Sequence, residues 1–231
     1  MPEIVVKAEG LRKSYLLGRK RINVLDGVDV AIKRGEMVAV MGPSGCGKTT
    51  LLNCLSGIDS VDSGRVMVEG NEITAMQDKA RTLHRAKRMG FVFQAFNLIP
   101  VITAQKNVEL PLQLQGLKAK ETQQRALAAL EQVGVATRAG HKPLEMSGGQ
   151  QQRVAIARAL VNEPAIVWGD EPTGNLDTKT AKEVMDLFLE LNKAGATFLI
   201  VTHDPKVAKL AHRLLHMDSG RIVKEVVQRK L

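Results

Sequence analysis

Val38-Ala39-Val40-Met41-Gly42-Pro43-Ser44-Gly45-Cys46-Gly47-Lys48-Thr49-Thr50-Leu51-Leu52 is the stretch that decides the fold. Gly42 to Thr49 match the pattern G-x-x-x-x-G-K-[ST]. The apolar run Val38 to Met41 reads as a strand, and Leu51, Leu52 and Leu55 mark a helix beyond the turn. Strand, glycine-rich turn and helix are the setting in which this pattern cradles phosphate. Glycines let the backbone curl so that several N–H groups face one phosphate, and the helix N-terminus adds partial positive charge. Gly42, Ser44, Gly45, Cys46, Gly47 and Thr50 are therefore expected nucleotide contacts. Lys48 suits the β- and γ-phosphates, and the Thr49 hydroxyl suits Mg²⁺. The bland reading is a glycine-rich turn with no ligand. With Gly at about 7% of residues, a chance match in a chain this long is on the order of one in a hundred.

Outward from this loop, Val24 to Ile32 and Arg65 to Val68 read as strands, with Arg34-Gly35 and Asp62-Ser63-Gly64 as turns. Ala165 to Trp168 and Thr197 to Val201 are short apolar runs of the kind found in buried parallel strands. Val184, Leu187, Phe188 and Leu191 fall at i, i+3, i+4 and i+7, which predicts a helix. Thr180 and Glu183 are candidates for a capping box at its start, and Gly195 marks its end. From about Gln105 to Leu160 the pattern is helical throughout. The expectation is an α/β core interrupted by a helical insertion.

The 231 residues suit one domain, and 44% hydrophobic with 25% charged residues gives ample material for a core. Met1-Pro2-Glu3 opens acidic and the next apolar run is only Ile4 to Val6, so no signal peptide is expected. No window nears ~18 uninterrupted apolar residues, which argues against a transmembrane helix. Cys46 and Cys54 have neither metal-ligand nor disulfide-framework spacing and read as reduced thiols in a cytoplasm. Because Cys46 lies in the phosphate loop, a bulky adduct on it is expected to block nucleotide. The net charge is +9, with basic clusters at Arg19-Lys20-Arg21, along Lys79 to Arg88, and at Arg229-Lys230. Solvated faces, an anionic membrane surface and nucleic acid all fit such clusters, and charge alone does not choose.

Two further motifs narrow the class. Ser147-x-x-Gln150 can form a capping box opening a helix over Gln151 to Val161, with Val154, Ala157 and Val161 on one face and Asn162-Glu163-Pro164 ending it. Ile166 to Glu171 is an apolar strand ending in two carboxylates, which in isolation would read as exposed charge. Together with the phosphate loop these segments resemble ATP-binding cassettes. Met146-Ser147-Gly148-Gly149-Gln150 is similar to the LSGGQ signature, with Met for Leu. Asp170-Glu171 resembles the Walker B end, with Trp168 and Gly169 in place of small aliphatics. Gln94 resembles the Q-loop glutamine, Gly174-Asn175-Leu176-Asp177 the D-loop, His203 the switch histidine, and Tyr15 the aromatic that stacks on adenine.

The resemblance covers essentially the whole chain in intact motif order. It implies an α/β P-loop NTPase core with a mostly parallel sheet, an N-terminal antiparallel β subdomain and an α-helical subdomain inserted at about 95–162. All of this would lie in a single nucleotide-binding domain spanning 1–231. It implies ATP and Mg²⁺ as ligands. Glu171 would polarise the attacking water, with His203 and Gln94 as the other catalytic side chains. Asp170 would hold Mg²⁺ through water, alongside Thr49 and Gln94. Ser147, Gly148, Gly149 and Gln150 would meet the ATP bound to a second copy, and Asp177 would lie at the dimer crossing. One phosphate loop and one signature per chain imply a head-to-tail homodimer. A separate transmembrane permease would dock near Gln94 and hold the protein on the cytoplasmic face of the membrane.

Finer segments are similar to the bacterial lipoprotein-releasing, macrolide-exporting and cell-division-linked cassettes. These are Gly90-Phe91-Val92-Phe93-Gln94 with Phe96-Asn97-Leu98, the run Thr103 to Pro111, and Asp170 to Asp177. The alternatives are the ATPase of a solute importer or exporter, or a nucleic-acid-maintenance ATPase. Against the last, the chain has no sustained heptads and no zinc spacing, so no nucleic-acid partner is expected.

Overall fold

The computed structural model describes residues 3–229, so Met1, Pro2 and Lys230, which the charge and leader readings used, lie outside the described residues. Along the chain run β1 (Ile4–Leu17), β2 (Lys20–Lys33), β3 (Met37–Met41), α1 (Lys48–Leu55), β4 (Ser63–Val68), β5 (Asn71–Glu72) and α2 (Asp78–Arg88). There follow β6 (Met89–Phe93), α3 (Ala104–Leu114), α4 (Ala119–Gln132), α5 (Gly148–Leu160), β7 (Ile166–Asp170) and α6 (Thr178–Lys193). The chain ends with β8 (Phe198–Val201), α7 (Pro205–Ala208), β9 (Arg213–Asp218) and β10 (Arg221–Val227). Two compact units emerge, one of the described residues up to Thr82 with those from Asn192 onward, the other of Leu83–Leu191.

The first unit contains an antiparallel sheet in the order β2-β1-β4-β5. Val6, Leu11, Val28, Ile32, Val66 and Val68 from its strands are fully buried. A one-residue slip would move those side chains to the wrong face, so this alternation fixes the register. The same unit holds β3 flanked by β8 and β9, parallel to both, with β10 antiparallel on β9. Met37, Val38, Ala39 and Val40 are all buried, the continuous apolar run that a parallel strand covered on both faces requires. Glu36, just before β3, lies 2.8 Å from the Arg213 guanidinium at the start of β9, and their side chains are only 7% and 14% exposed.

In the second unit β6 runs parallel to β7, from Met89 opposite Ile166 to Phe93 opposite Asp170. Gly90 lets α5 pack close, because a Cβ there would run into the Ala159 carbonyl. Trp168 is fully buried, and its indole N–H meets no acceptor. The stretch 95–162 carries α3, α4 and α5.

The α/β class, the antiparallel N-terminal sheet and the mostly parallel core strands are as expected. Two local expectations are corrected. The α6 helix opens at Thr178, not on a Thr180–Glu183 box. Its cap is Asp177, whose carboxylate accepts from Lys179 N at 3.0 Å and Thr180 N at 3.1 Å. Gly148 and Gly149 form the first turn of α5 rather than preceding it. The basic run from Lys79 is the helix α2, which buries none of its residues. Among the described residues no helix is long and apolar enough to cross a membrane.

Candidate nucleotide-binding and hydrolysis site

In the first unit, the turn between β3 and α1 is shaped by close backbone approaches. A Cβ at Gly42 would run into the Met217 carbonyl, and one at Gly47 would sit 2.7 Å from the Val24 oxygen. Gly45 and Gly47 have φ of 79° and 104°, the region glycine occupies without cost. Gly47 gives α1 no side-chain cap. The orphan N–H groups of a first turn are what anions bind. Lys48 Nζ lies 2.8 Å from the Gly42 oxygen and 2.9 Å from the Pro43 oxygen, so its charge sits over the loop. Ser44, Gly45, Thr49 and Thr50 complete this segment.

Cys46 is only 6% exposed, so the adduct expected to block nucleotide has little access to its thiol. Cys54 is buried as well, and that burial pushes its thiol up to about 12.

Tyr15 sits near the end of β1, 41% exposed, so it is not a core aromatic. Burial of its hydroxyl end, then the 2.6 Å bond it donates to Asp59, raise its phenol to about 12. Lys13 Nζ lies 5.0 Å from the ring centroid, a cation–π arrangement. His203 follows β8 in a tight turn. Thr202 N donates to the Val40 oxygen at 3.1 Å, and Asp204 N donates to Thr202 Oγ1 at 3.0 Å. The turn therefore fixes His203 relative to β3, with the ring exposed.

In the second unit, Asp170 ends β7 and Glu171 follows with φ 48°. A non-glycine residue in the left-handed region costs roughly 1–2 kcal/mol, and such strain persists where it positions a functional side chain. Gln94, just after β6, bonds reciprocally with Asn175: Gln94 Nε2 donates to Asn175 Oδ1 at 2.9 Å, and Asn175 Nδ2 donates to the Gln94 oxygen at 3.1 Å. Ser147 and Gln150 form a complete capping box. Gln150 N donates to Ser147 Oγ at 3.3 Å, and Ser147 N donates to Gln150 Oε1 at 3.1 Å. A Cβ on Gly148 would touch Leu176 and Phe96, and one on Gly149 would overlap the Thr180 methyl. The signature turn thus packs directly on both the segment after Gln94 and the Asp177 turn. Bonds donated by Thr180 hold the Asp177 carboxyl below its ordinary range.

Sequence reasoning missed two residues here, Gln152 and Arg158, and the partner of a third. Asn175 stands 81 residues from its partner Gln94, and no local pattern announces that. Gln152 is fully buried and donates to the Phe93 and Pro172 oxygens. Arg158 donates to the Phe96 and Asn97 oxygens, clamping two successive non-glycine residues at φ 60° and 51°. Burial lowers the pKa of Arg158.

A glycine loop under a lysine, an Asp-Glu strand end and a capped Ser-Gly-Gly-Gln helix define a nucleotide-binding cassette of the P-loop type. The ABC transporter family model matches residues 25–174, and the chain belongs to that family. It is an ATP-binding cassette ATPase. The chain is 47% identical over 219 residues to an uncharacterized ABC transporter ATP-binding protein, YknY, of Bacillus subtilis (strain 168), covering 95% of each. It is 46% identical over 223 residues to the lipoprotein-releasing system ATP-binding protein LolD of Legionella pneumophila (strain Paris), covering 96% of this chain and 98% of LolD. Among solved structures it is similar to a post-hydrolysis dimer of the ATP-binding cassette MJ0796 bound to ADP and Pi. The TM-score is 0.89 at 42% identity, covering 98% of this chain and 100% of that one.

Proposed function

We propose that this chain is the ATP-hydrolysing subunit of a lipoprotein-releasing type of ABC transporter. In this reading it works as a head-to-tail homodimer and drives a separate membrane permease from the cytoplasmic face. One nucleotide-binding domain spans 1–231, with its helical subdomain at about 95–162.

Each ATP lies on the loop Gly42 to Thr50 of one copy, with its adenine on Tyr15. Lys48 and the loop N–H groups neutralise the β- and γ-phosphates. Ser147 and Gly149 of the second copy donate to the γ-phosphate, with Gly148 and Gln150 shaping that turn and Asp177 at the crossing. Glu171 orients a water and accepts its proton as the oxygen attacks the γ-phosphorus; the bond to the β-phosphate oxygen breaks, leaving ADP and phosphate. His203 contacts the γ-phosphate. Losing that phosphate removes the bonds that span the two copies, so hydrolysis opens the dimer.

The available metal donors are all oxygens, from Thr49, Asp170 and Gln94. That suits Mg²⁺, which prefers a carboxylate or two, waters and substrate phosphate to an all-protein cage. When bound, Mg²⁺ supplies charge neutralisation at the β- and γ-oxygens.

The observation that carries the hydrolytic reading is Glu171, held in the left-handed region immediately after Asp170. The similarity to LolD carries the transporter type. To test that type, the tagged Glu171→Gln chain is held with ATP and Mg²⁺ and recovered from solubilised membranes. Co-purification of a permease with few spans and a large extracytoplasmic domain supports it. A many-span solute permease instead refutes the lipoprotein-releasing type.

A further inference from the structure

Asn175 meets Gln94 twice, and the two bonds together assign the direction of both amides. Asn175 Nδ2 lies 3.1 Å from the Gln94 backbone oxygen. A peptide oxygen only accepts, so the amino end of Asn175 must face it. Asn175 Oδ1 therefore faces the Gln94 side chain, 2.9 Å away. Because that oxygen also only accepts, Gln94 turns its amino end inward. Its Oε1, the one side-chain atom able to ligate a cation, is left outside the pair. Gly174 guards the arrangement from the other side. A Cβ there would lie 2.8 Å from Gln94 Nε2 and 2.9 Å from its Cδ.

We infer that Asn175 is a positioning residue: it locks the Gln94 amide with Oε1 presented to the nucleotide-bound divalent cation. The inference rests on the reading of Gln94 as a metal contact. Without Asn175 the amide loses both bonds that fix the direction and the position of its oxygen. Loss of such outer support typically weakens metal binding by roughly 10- to 100-fold.

The test uses Mn²⁺ as the probe, titrated by electron paramagnetic resonance into ATP-loaded protein. The Glu171→Gln background prevents turnover. ATP affinity is measured separately in EDTA. Asn175→Ala is expected to weaken Mn²⁺ binding about tenfold, leave metal-free ATP affinity unchanged, and add nothing to Gln94→Ala. If Gln94→Ala weakens Mn²⁺ binding and Asn175→Ala does not, the positioning role is wrong while the role of Gln94 stands. If Gln94→Ala changes nothing, the metal reading of Gln94 fails and this inference with it. If Asn175→Ala lowers Mn²⁺ and metal-free ATP affinity alike in both Gln94 backgrounds, Asn175 is structural only.

Discussion

The proposed function asks Ser147 to donate to the γ-phosphate of the second copy's ATP as well as to cap α5, and Ser147→Asp separates the two roles. As the cap of α5 its Oγ accepts from Gln150 N, which uses an oxygen lone pair and leaves the hydroxyl proton free to donate. Aspartate caps as well as serine, so folded-state stability should stay within about 0.5 kcal/mol of the parent. The carboxylate has no proton to give and carries negative charge. Each site then loses one charge-assisted bond to the γ-phosphate, about 1.5–3 kcal/mol. Two-fold symmetry doubles this to about 3–6 kcal/mol per dimer, so the ATP-held dimer weakens by roughly two to four decades before repulsion is counted. Ser147→Ala loses the donor too, and in addition costs about 1 kcal/mol of stability for the lost cap. Sedimentation equilibrium with ATP, in the Glu171→Gln background, reads the dimer constant; urea unfolding reads stability. A Ser147→Asp protein that dimerises as tightly as its parent would refute the phosphate-donor role. One that unfolds well below its parent would refute the cap.

Three more outcomes follow from the packing. Gly149→Ala drives a methyl into the Thr180 methyl and should cost about 1–3 kcal/mol. Adding Thr180→Ser should recover most of that in urea unfolding, since serine keeps the hydroxyl bonded to Asp177. No recovery would mean that another contact is responsible. Glu36→Ala leaves the mostly buried Arg213 with only the more exposed Glu225 carboxylate and the Ala31 oxygen and should cost about 1–3 kcal/mol, whereas Glu36→Met with Arg213→Met should unfold nearer the parent. Equal losses in the two proteins would place the cost elsewhere. With its pKa pushed up to about 12, Cys54 is ionised to roughly one part in ten thousand at pH 8, against about a quarter for a free thiol near 8.5. Buried Cys46 is shielded by access instead. Neither should take iodoacetamide in the native protein, and both should in urea, as counted by mass spectrometry. Rapid native labelling of Cys46 would contradict its packing.

What could be read from the sequence follows how local each signal is. The phosphate loop carries its strand, glycines and helix within fifteen residues, and Ser147 with Gln150 announces a cap that the structure completes. The long alternation of β2 and the apolar runs of β3, β7 and β8 were equally plain. Other features depend on partners far along the chain. The Gln94–Asn175 pair and the Arg158 clamp join residues 81 and about sixty apart. Phe96 and Asn97 adopt left-handed backbone without the glycine that usually signals it. The α2 helix buries nothing, so it leaves no apolar stripe to detect. Thr180 looked like a cap because it stands three residues before Glu183; Asp177, one turn earlier, won because its carboxylate takes two backbone N–H groups at once.

The central claim is that ATP itself joins two copies and that Glu171 then cuts it. The most direct measurement follows the Glu171→Gln protein with and without ATP and Mg²⁺, reading mass by light scattering and phosphate release in the same samples. The account predicts a monomer without nucleotide, a stable dimer with ATP, and phosphate release reduced by orders of magnitude while ATP stays bound. A protein that binds ATP yet remains monomeric, or that releases phosphate at the parent rate, would contradict it.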